Sequence, residues 1–463
     1  MSLSFKISDL SVATREKISN LRVDANADAV KKKFGHAFQT KPKKWIYPFR
    51  LNENTVTLPL AWSLKNVDGS ARRVRSEFSQ VRFNCTAHLR PAQTKIRKEA
   101  FVHLNKKGTI VISAFPGFGK TITSISMAQK IGMRTLVLVN KVILISQWIS
   151  AVKQFTDLDK TGVIKVAPMT KAQRTNPSKI TKWKNKINNA CILVMNALSV
   201  CKLPDDMLKN VGCVIVDECH QLMSPCLSSA LLYVQPRYVI ALSATPYRSD
   251  GLNKLLDFYF SKERLVRELK KAHTVFEIRT GFKPAAGQTE QGRLDWNGLL
   301  NSQSENEDRN KLIIDAATVL SKNRTILILT KRVDQAALIE KKLKENDVRV
   351  TGLYGAAKTF DKSASVLVGT ASKIGVGFDH KKLDCLFLAS DVEAYFIQFL
   401  GRVFRREDVE PIVLDFVDTH SVLRKHFRTR KSVYQKHGGT LLTIKNIQNG
   451  TALAEKIMIQ IER

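Results

Sequence analysis

Apolar, β-branched runs alternate with amphipathic stretches through most of this chain. Between about residues 85 and 255, each short run that predicts a buried strand is followed by a segment with helical periodicity. Such alternation favours a parallel sheet that is covered by helices on both faces. The predicted strands of this first region are Thr109–Ser113, Thr135–Val139, Cys191–Met195, Cys213–Val216 and Tyr238–Leu242.

A second alternation with the same rhythm begins near Asn306 and includes an amphipathic helix that runs through Leu343. Between the two regions the pattern is broken by Gly, Pro, Gln, Asn and Ser, which predicts a linker. The predicted strands of the second region are Thr325–Leu329, Val348–Leu353, Ser365–Gly369, Cys385–Ala389 and Pro411–Phe416.

These patterns predict an α/β protein with two tandem parallel-sheet lobes, a small N-terminal domain and a basic helical C-terminal extension. The predicted boundaries are an accessory domain at 1–84, a first lobe at 85–280, a linker at 281–304, a second lobe at 305–420 and the extension at 421–463.

The segment that follows the first strand of lobe 1 has the chemistry of a phosphate-binding loop. Gly117 and Gly119 allow a tight turn whose backbone N–H groups point at phosphates, and the next helix adds its dipole. Lys120 is suited to bind the β- and γ-phosphate oxygens, and the Thr121 hydroxyl to ligate Mg²⁺. Alanine stands where the common pattern has its first glycine. The candidate nucleotide-binding residues are Ala114, Phe115, Pro116, Gly117, Phe118, Gly119, Lys120 and Thr121.

Two adjacent acids, Asp217 and Glu218, follow the apolar run that ends at Val216. In an open α/β sheet, ligands bind at the carboxyl ends of the strands. Asp217 is suited to hold Mg²⁺ and Glu218 to polarise an attacking water as a general base. Together with the phosphate loop, this pair implies hydrolysis of ATP with Mg²⁺ as the cofactor.

Charge narrows the choice of partner. The chain has 75 Lys and Arg against 41 Asp and Glu, a formal net charge of +34. Such an excess favours a polyanion, with nucleic acid as the expected partner and an acidic membrane surface as the alternative. Seven cysteines without C-x-x-C spacing argue against a zinc site and a disulfide framework. No long apolar run occurs, so we expect a soluble, intracellular protein.

A last constellation lies in the second lobe, where Gln398, Gly401, Arg402 and Arg405 form the pattern Q-x-x-G-R-x-x-R. Two arginines three positions apart share a face if the segment is helical, so both can reach one phosphate cluster. An arginine there would stabilise the charge that develops on the γ-phosphoryl group.

In this order the motifs resemble those of the superfamily 2 DExH-box helicases and translocases, over roughly 85 to 420. The resemblance implies two RecA-like lobes with ATP between them, and a catalytic set of Lys120, Asp217, Glu218, Gln398, Arg402 and Arg405. It further implies that Gln93 reads the adenine edge. The residues that it implies for coupling hydrolysis to lobe movement are His220, Ser243, Thr245, Thr370 and Asp379.

Other segments resemble parts that grip nucleic acid. Asn140-Lys141 and Gln147-Trp148 resemble a first-lobe segment that holds strand phosphates, although an aromatic residue on an amphipathic helix is more often part of the core. The basic, aromatic pieces Lys41–Tyr47 and Arg424–Lys431 either extend the nucleic-acid groove or form solvated faces.

The D-E-C-H box and the segment after Ser243 resemble the XPB-like and UvsW-like branch. The Arg-Glu-Asp triplet of the XPB group reads Arg248-Ser249-Asp250 here, which leaves strand separation open. The phosphate loop also resembles that of the transcript-release helicase of poxviruses and its relatives in other large DNA viruses. We therefore expect a viral helicase that uses ATP and Mg²⁺ on nucleic acid. DNA or a DNA–RNA hybrid is favoured over RNA as the substrate. The process it serves is expected to be transcription, recombination or repair, with the transcription or repair machinery as a possible partner.

Three other functions stay open. The first is a protein that uses ATP only to clamp nucleic acid, and the second is an RNA helicase without processive DNA unwinding. The third is a P-loop metabolic kinase, which gives no reason for the pattern from Gln398 to Arg405 or for a net charge of +34.

Overall fold

The computed structural model describes residues 1–24, 44–170, 173, 175–204, 206–244, 252–290, 292–357, 359–374, 380–392, 396–447 and 449–461. The chain divides into two compact units: the first consists of Met1–Ala114 and Phe118–Arg267, and the second of Glu268–Arg463 with the short stretch Phe115–Gly117. None of the helices in these ranges is long and apolar enough to cross a membrane.

The N-terminal segment forms small antiparallel sheets that belong to the first unit. Its elements are β1 (Ser2–Lys6), α1 (Val12–Ser19), β2 (Val23–Asp24), β3 (Trp45–Ile46), β4 (Arg50–Asn52), β5 (Thr55–Pro59) and α2 (Leu60–Asn66). The strand order is β1-β5-β4, and β2 pairs with β3. Met1 and Leu60 lie in the same hydrophobic core as Val239 and Leu256. The predicted separate domain at 1–84 is therefore part of the first unit, because its apolar face is buried against that core.

The first unit contains a seven-stranded sheet in which all neighbouring strands are parallel. Its order is β12-β6-β11-β10-β7-β9-β8. The strands are β6 (Thr109–Ala114), β7 (Thr135–Val139), β8 (Val163–Lys165), β9 (Ile192–Asn196), β10 (Cys213–Val216), β11 (Tyr238–Ser243) and β12 (Arg264–Arg267). In the middle of the sheet, Val214 pairs with Leu136 on one side and Val239 on the other.

Helices follow these strands as the alternating pattern predicts. They are α3 (Pro91–Lys107), α4 (Lys120–Ile131), α5 (Ile143–Phe155), α6 (Pro177–Asn189), α7 (Pro225–Ala230) and α8 (Asn253–Phe260). Helix α4 ends where Gly132 adopts φ 66°, a left-handed conformation that favours glycine.

The second unit contains another seven-stranded parallel sheet, with the order β15-β16-β14-β17-β18-β13-β19. Its strands are β13 (His273–Arg279), β14 (Ile326–Thr330), β15 (Val350–Leu353), β16 (Val366–Thr370), β17 (Cys385–Leu388), β18 (Ile412–Val417) and β19 (Gly439–Ile444). Its helices are α9 (Trp296–Glu305), α10 (Glu307–Leu320), α11 (Val333–Glu345), α12 (Ala371–Ile374), α13 (Phe396–Val403), α14 (Ser421–Lys436) and α15 (Gly450–Ile461).

Three predicted boundaries differ from this arrangement. The predicted first lobe at 85–280 includes β13, which is an interior strand of the second sheet. The predicted linker at 281–304 contains most of α9. The predicted extension at 421–463 supplies β19, which pairs with β13, and α15, whose Leu453 and Ile457 lie in the second core. These segments belong to the second unit because its sheet and core are incomplete without them.

Candidate functional site

The loop between β6 and α4 turns at two glycines. Gly117 has φ 87° and Gly119 has φ 89°, values in the left-handed region that glycine adopts without strain. The Lys120 ammonium donates a hydrogen bond to the Ala114 carbonyl at 2.6 Å, and Thr123 donates from both N–H and Oγ1 to the Gly119 carbonyl. The loop is therefore closed by its own lysine, which lies across the turn where phosphates are expected.

Gln93 holds this loop from α3. Its side chain is 3% exposed; Oε1 accepts from the Arg90 N–H at 2.8 Å, and Nε2 donates to the Phe118 carbonyl at 2.8 Å. A Cβ atom on Gly119 would lie 2.2 Å from Gln93 Nε2, so a side chain there would displace the Gln93 amide from the loop. In this conformation Gln93 contacts the loop backbone; its adenine-reading role stays a prediction.

The two acids directly follow β10, and a tryptophan holds the first of them. Asp217 Oδ2 accepts from Trp148 Nε1 at 2.8 Å, and Oδ1 accepts from the Glu218 N–H at 3.0 Å. Burial and the neighbouring Glu218 charge raise the pKa of Asp217 to about 6, against the opposing effects of Trp148 and the Lys120 charge. Glu218 itself has φ 47°, a conformation that is uncommon outside glycine and typical of functional sites.

The sheet order brings the loop and the acids to one edge. Strand β11 lies between β6 and β10, and all three are parallel. Two strand spacings separate β6 from β10, about 10 Å. The carboxyl ends of β6, β11 and β10 therefore present the phosphate loop, Ser243 and the acidic pair side by side.

Two predicted coupling residues are in direct contact at this edge. His220 is 3% exposed, and its Nδ1 lies 2.8 Å from Ser243 Oγ, at the end of β11. The same nitrogen lies 3.5 Å from Glu218 Oε2. The structure thus joins Glu218 to Ser243 through one imidazole, while Thr245 lies outside the described residues.

In the second unit, the predicted arginine motif is only partly helical. Gln398 and Arg402 lie on α13, which ends at Val403, so Arg405 follows the helix. The two arginines therefore do not lie on one helical face, because the helix ends between them. That both reach one phosphate cluster stays a prediction. Gln398 is 6% exposed, and its Nε2 has no hydrogen-bond partner in the ranges that the structure describes.

Thr370 ends β16 as a buried residue, and its Oγ1 lies 3.3 Å from Ser372 Oγ. Asp379 lies outside the described residues, as does the triplet Arg248–Asp250.

Comparison with known proteins agrees with this geometry. Residues 86–248 match the family described as "Type III restriction enzyme, res subunit". The chain is 38% identical over 427 residues to the putative helicase 161L of Invertebrate iridescent virus 6, covering 88% of this chain and 93% of that protein. The chain belongs to the family of helicases that includes this iridescent-virus protein. It is an ATP-hydrolysing helicase that acts on nucleic acid.

Two solved structures support the same fold. Dbp5 of S. cerevisiae, bound to RNA and ADP BeF3, is similar with a TM-score of 0.52 and 13% identity, covering 80% of this chain and 93% of that one. The ATP-dependent Type ISP restriction-modification enzyme LlaBIII, bound to DNA, is similar with a TM-score of 0.54 and 12% identity, covering 81% of this chain and 33% of that one. Both likenesses concern the RecA-like fold alone.

The donor set of the helicase suits Mg²⁺. Thr121 and Asp217 offer a hydroxyl and a carboxylate, the hard oxygen ligands that this ion prefers. Within the described ranges, no group of three or more His, Cys, Asp or Glu could hold a metal by itself. A site with few protein ligands fits Mg²⁺, which usually keeps waters and binds substrate phosphates.

The first-lobe residues that resemble a segment holding strand phosphates differ in their surroundings: Lys141 is exposed, whereas Asn140 and Trp148 bond to other residues of the first unit. Asn196 Nδ2 donates to the Asn140 carbonyl at 3.0 Å, and the Asn140 amide donates to Gln221 Oε1. Lys141 is exposed next to them. Trp148 is 3% exposed and bonded to Asp217, so it belongs to the core and to the acidic site rather than to a nucleic-acid surface. The sequence contained no signal for this bond, because the two residues are 69 positions apart.

Proposed function

We propose that this helicase is an ATP-driven motor that moves along or remodels DNA or a DNA–RNA hybrid. The observation that carries the ATP site is the edge of the first sheet, where the closed phosphate loop and the Trp148-held Asp217 lie two strands apart. Relatives in DNA viruses and the DNA-bound LlaBIII favour DNA, whereas the RNA-bound Dbp5 keeps RNA as the competing substrate.

In the proposed mechanism, Lys120 leaves the Ala114 carbonyl and binds the β- and γ-phosphate oxygens. Thr121 and Asp217 hold Mg²⁺, which would neutralise the charge on those oxygens. Glu218 accepts a proton from the attacking water, as a general base. The imidazole of His220, bonded to Ser243 Oγ, would carry the state of Glu218 to β11.

The second unit contributes the remaining proposed residues. Gln398, Arg402 and Arg405 would act on the γ-phosphoryl group, with an arginine finger worth roughly 10³-fold or more in rate. Thr370, with Thr245 and Asp379 beyond the described ranges, would couple hydrolysis to movement along the strand. Gln93 would read adenine.

Replacing Arg405 with Ala tests the contribution of the second unit. We expect ATP hydrolysis to fall by about 10³-fold while ATP binding is retained, because the finger acts on charge that develops only during the reaction. The matched control is Arg349→Ala, which removes an exposed arginine paired with Asp361 at 3.2 Å on the same unit. An unaffected rate in the Arg405 variant contradicts the proposed site.

Substrate choice is tested by stimulated turnover. We expect single-stranded DNA, duplex DNA or a DNA–RNA hybrid to raise ATP hydrolysis more than RNA of the same length does. Strand displacement with 3′- and 5′-tailed DNA and RNA duplexes then reports polarity and separates unwinding from translocation. Stimulation by RNA alone would identify an RNA helicase, and no stimulation by any nucleic acid would favour the ATP-dependent clamp.

A further inference from the structure

Helix α14 of the second unit presents a row of basic side chains. Its sixteen residues include no acid, and its buried side consists of Leu423, Phe427, Arg430 and Tyr434. Arg424, Lys425 and Arg428 are exposed and lie on the first three turns; we call these three residues the basic face of α14. No carboxylate of the described residues forms an ion pair with this face. The three exposed positive charges of this face are therefore available to a polyanion.

A buried network sets the orientation of this face. Arg430 Nε and Nη2 each donate to Asp415 at 2.8 Å, and Nη1 donates to Asp391 at 2.7 Å. Tyr434 Oη donates to Asp415 at 2.9 Å. Asp415 lies in β18, and Asp391 follows β17. These bonds hold α14 to β18 and to the residues after β17. They oppose rotation of the helix about its axis, so its basic face keeps one direction.

A tryptophan packs against His426, the residue that follows Lys425 of the basic face. The rings of Trp296 and His426 meet edge to face, with centroids 5.5 Å apart and an interplanar angle of 65°. His426 Nδ1 in turn lies 2.6 Å from Asp391 Oδ2. Trp296 is the first residue of α9 and is partly exposed. The same network that orients α14 thus supports an aromatic ring at the surface.

The backbone around Trp296 is also held in place. Asp295 Oδ1 accepts from the N–H groups of Asn297 and Gly298 at 3.0 Å, which caps α9. Arg332, two residues after β14, donates to the Asn297 carbonyl at 3.0 Å. A ring on a fixed backbone loses little entropy when it binds a ligand.

This corner lies at the carboxyl edge of the second sheet. Asp391, Arg332 and the His420 cap of α14 follow β17, β14 and β18, respectively. Ligands of parallel α/β sheets bind at that edge. Thr370, a proposed coupling residue, ends β16 at the same edge.

We propose that Trp296 and the basic face of α14 form a contact for single-stranded nucleic acid. The basic face binds backbone phosphates, and Trp296 stacks on a base. Basic side chains beside an aromatic ring are the usual combination in single-strand sites. An unpaired base exposes the ring face that stacking needs, which a base inside a duplex does not. The contact rests on the proposed motor function and adds to it a strand contact outside the phosphate loop, the acidic pair and the arginine motif.

The first test uses the salt dependence of single-strand affinity. In the triple variant R424Q/K425Q/R428Q, we expect the slope of log affinity against log salt to fall by about 2, since each phosphate contact contributes about 0.7. The matched control is K179Q/K182Q/K186Q, which removes three exposed lysines from α6. An equal fall in both variants, or none in the α14 variant, overturns the proposal because neither result places phosphates at α14.

The second test separates stacking from charge. Binding of the wild type and Trp296→Ala is measured with a single-stranded oligonucleotide and with an abasic oligonucleotide of the same length. We expect the wild type to lose about tenfold affinity on abasic strand, and the variant to be about tenfold weaker on normal strand and insensitive to base removal. The control Trp183→Ala changes another partly exposed tryptophan, on α6.

Trp296→Phe keeps an aromatic ring, so it should retain most of the affinity and the sensitivity to base removal. If the Trp296→Ala variant binds the abasic strand more weakly than it binds the normal strand, the bases stack elsewhere, and the proposed stacking contact is wrong. These results are distinguishable from failure of the motor function, because that failure appears in the wild type as turnover that no nucleic acid stimulates.

Discussion

At the scale of single residues, a hydrogen bond from Trp148 holds Asp217, the first acid of the acidic pair. The side chain of Trp148 could be read from the sequence as a strand contact or as core. In the structure it is buried and donates to Asp217 Oδ2 at 2.8 Å. A carboxylate with a fixed donor has one orientation, so the other oxygen of Asp217 is aimed by the tryptophan.

We therefore expect Trp148→Phe to act on catalysis more than on ATP binding. Phenylalanine fills most of the same space but lacks the donor, and a hydrogen bond to a charged group is worth about 1.5–3 kcal/mol. The expected result is a kcat for ATP about tenfold lower with KM within twofold of the wild type. Steady-state ATP hydrolysis measures both constants.

Trp183→Phe is the matched control for this change. It removes a donor that bonds the Ala167 carbonyl at 3.2 Å, away from the acidic pair. The control should keep its kcat. A Trp148 variant with unchanged kcat would mean that the bond to Asp217 only stabilises the core.

The same scale shows which site residues could be found from the sequence. Spacing was enough to place Lys120, Asp217 and Glu218 in the segments that follow β6 and β10, because phosphate loops and acid pairs are local motifs that follow strands. It was not enough for Arg405, since the end of α13 at Val403 depends on packing and on the turn that follows. Contacts such as His220 with Ser243 join different strands and become visible only once the sheet order is known.

At the scale of elements, long apolar runs were reliable and short or polar strands were not. Strands β7 and β10 have the predicted bounds, Thr135–Val139 and Cys213–Val216. Strands β13 and β19 were not predicted, because their polar residues interrupt the apolar run and their pairing is non-local. Residues 273–278 of β13 pair with residues 166 positions further on in β19, such as His273 with Gly439.

Helix α14 illustrates how a buried ion pair fixes an element. We expect Arg430→Met to destabilise the second unit by about 3–5 kcal/mol, since the buried carboxylates of Asp391 and Asp415 lose the positive charge that they share. Hydrogen exchange should rise along α14, and the thermal midpoint should fall. Arg428→Met, an exposed change on the same helix, should cost less than about 0.5 kcal/mol. Equal protection of α14 in both variants would show that apolar packing alone holds the helix.

Low pH should reduce the difference in the free energy of unfolding between the Arg430→Met and Arg428→Met variants. Burial raises the pKa of Asp391, but the hydrogen bond from His426 and the charge of Arg430 outweigh it, so the pKa lies below its usual value. A carboxylate with a lowered pKa stabilises the fold above its unfolded pKa of about 3.9 and loses this effect as pH falls further. The cost of Arg430→Met should therefore be fully present near pH 7 and shrink below about pH 4.

At the scale of the whole molecule, chain order and spatial order differ. The first unit takes in the N-terminal segment through Met1 and Leu60, and the second takes in the C-terminal segment through β19 and α15. Both ends of the chain therefore complete cores rather than extend from them. The net charge of +34 favours nucleic acid as the partner without deciding which kind.

This arrangement predicts how the second unit responds to truncation. A fragment with residues 268–463 contains every strand of the second sheet, whereas 268–420 lacks β19, α14 and α15. The shorter fragment exposes the edge of β13 and the apolar side of α10 that Leu453 and Ile457 cover. It also leaves Asp415 without Arg430. We expect cooperative thermal unfolding for 268–463 and none for 268–420, measured by circular dichroism and calorimetry. If 268–420 unfolds cooperatively at a similar temperature, residues 421–463 form a separable extension after all, and the second core ends at β18.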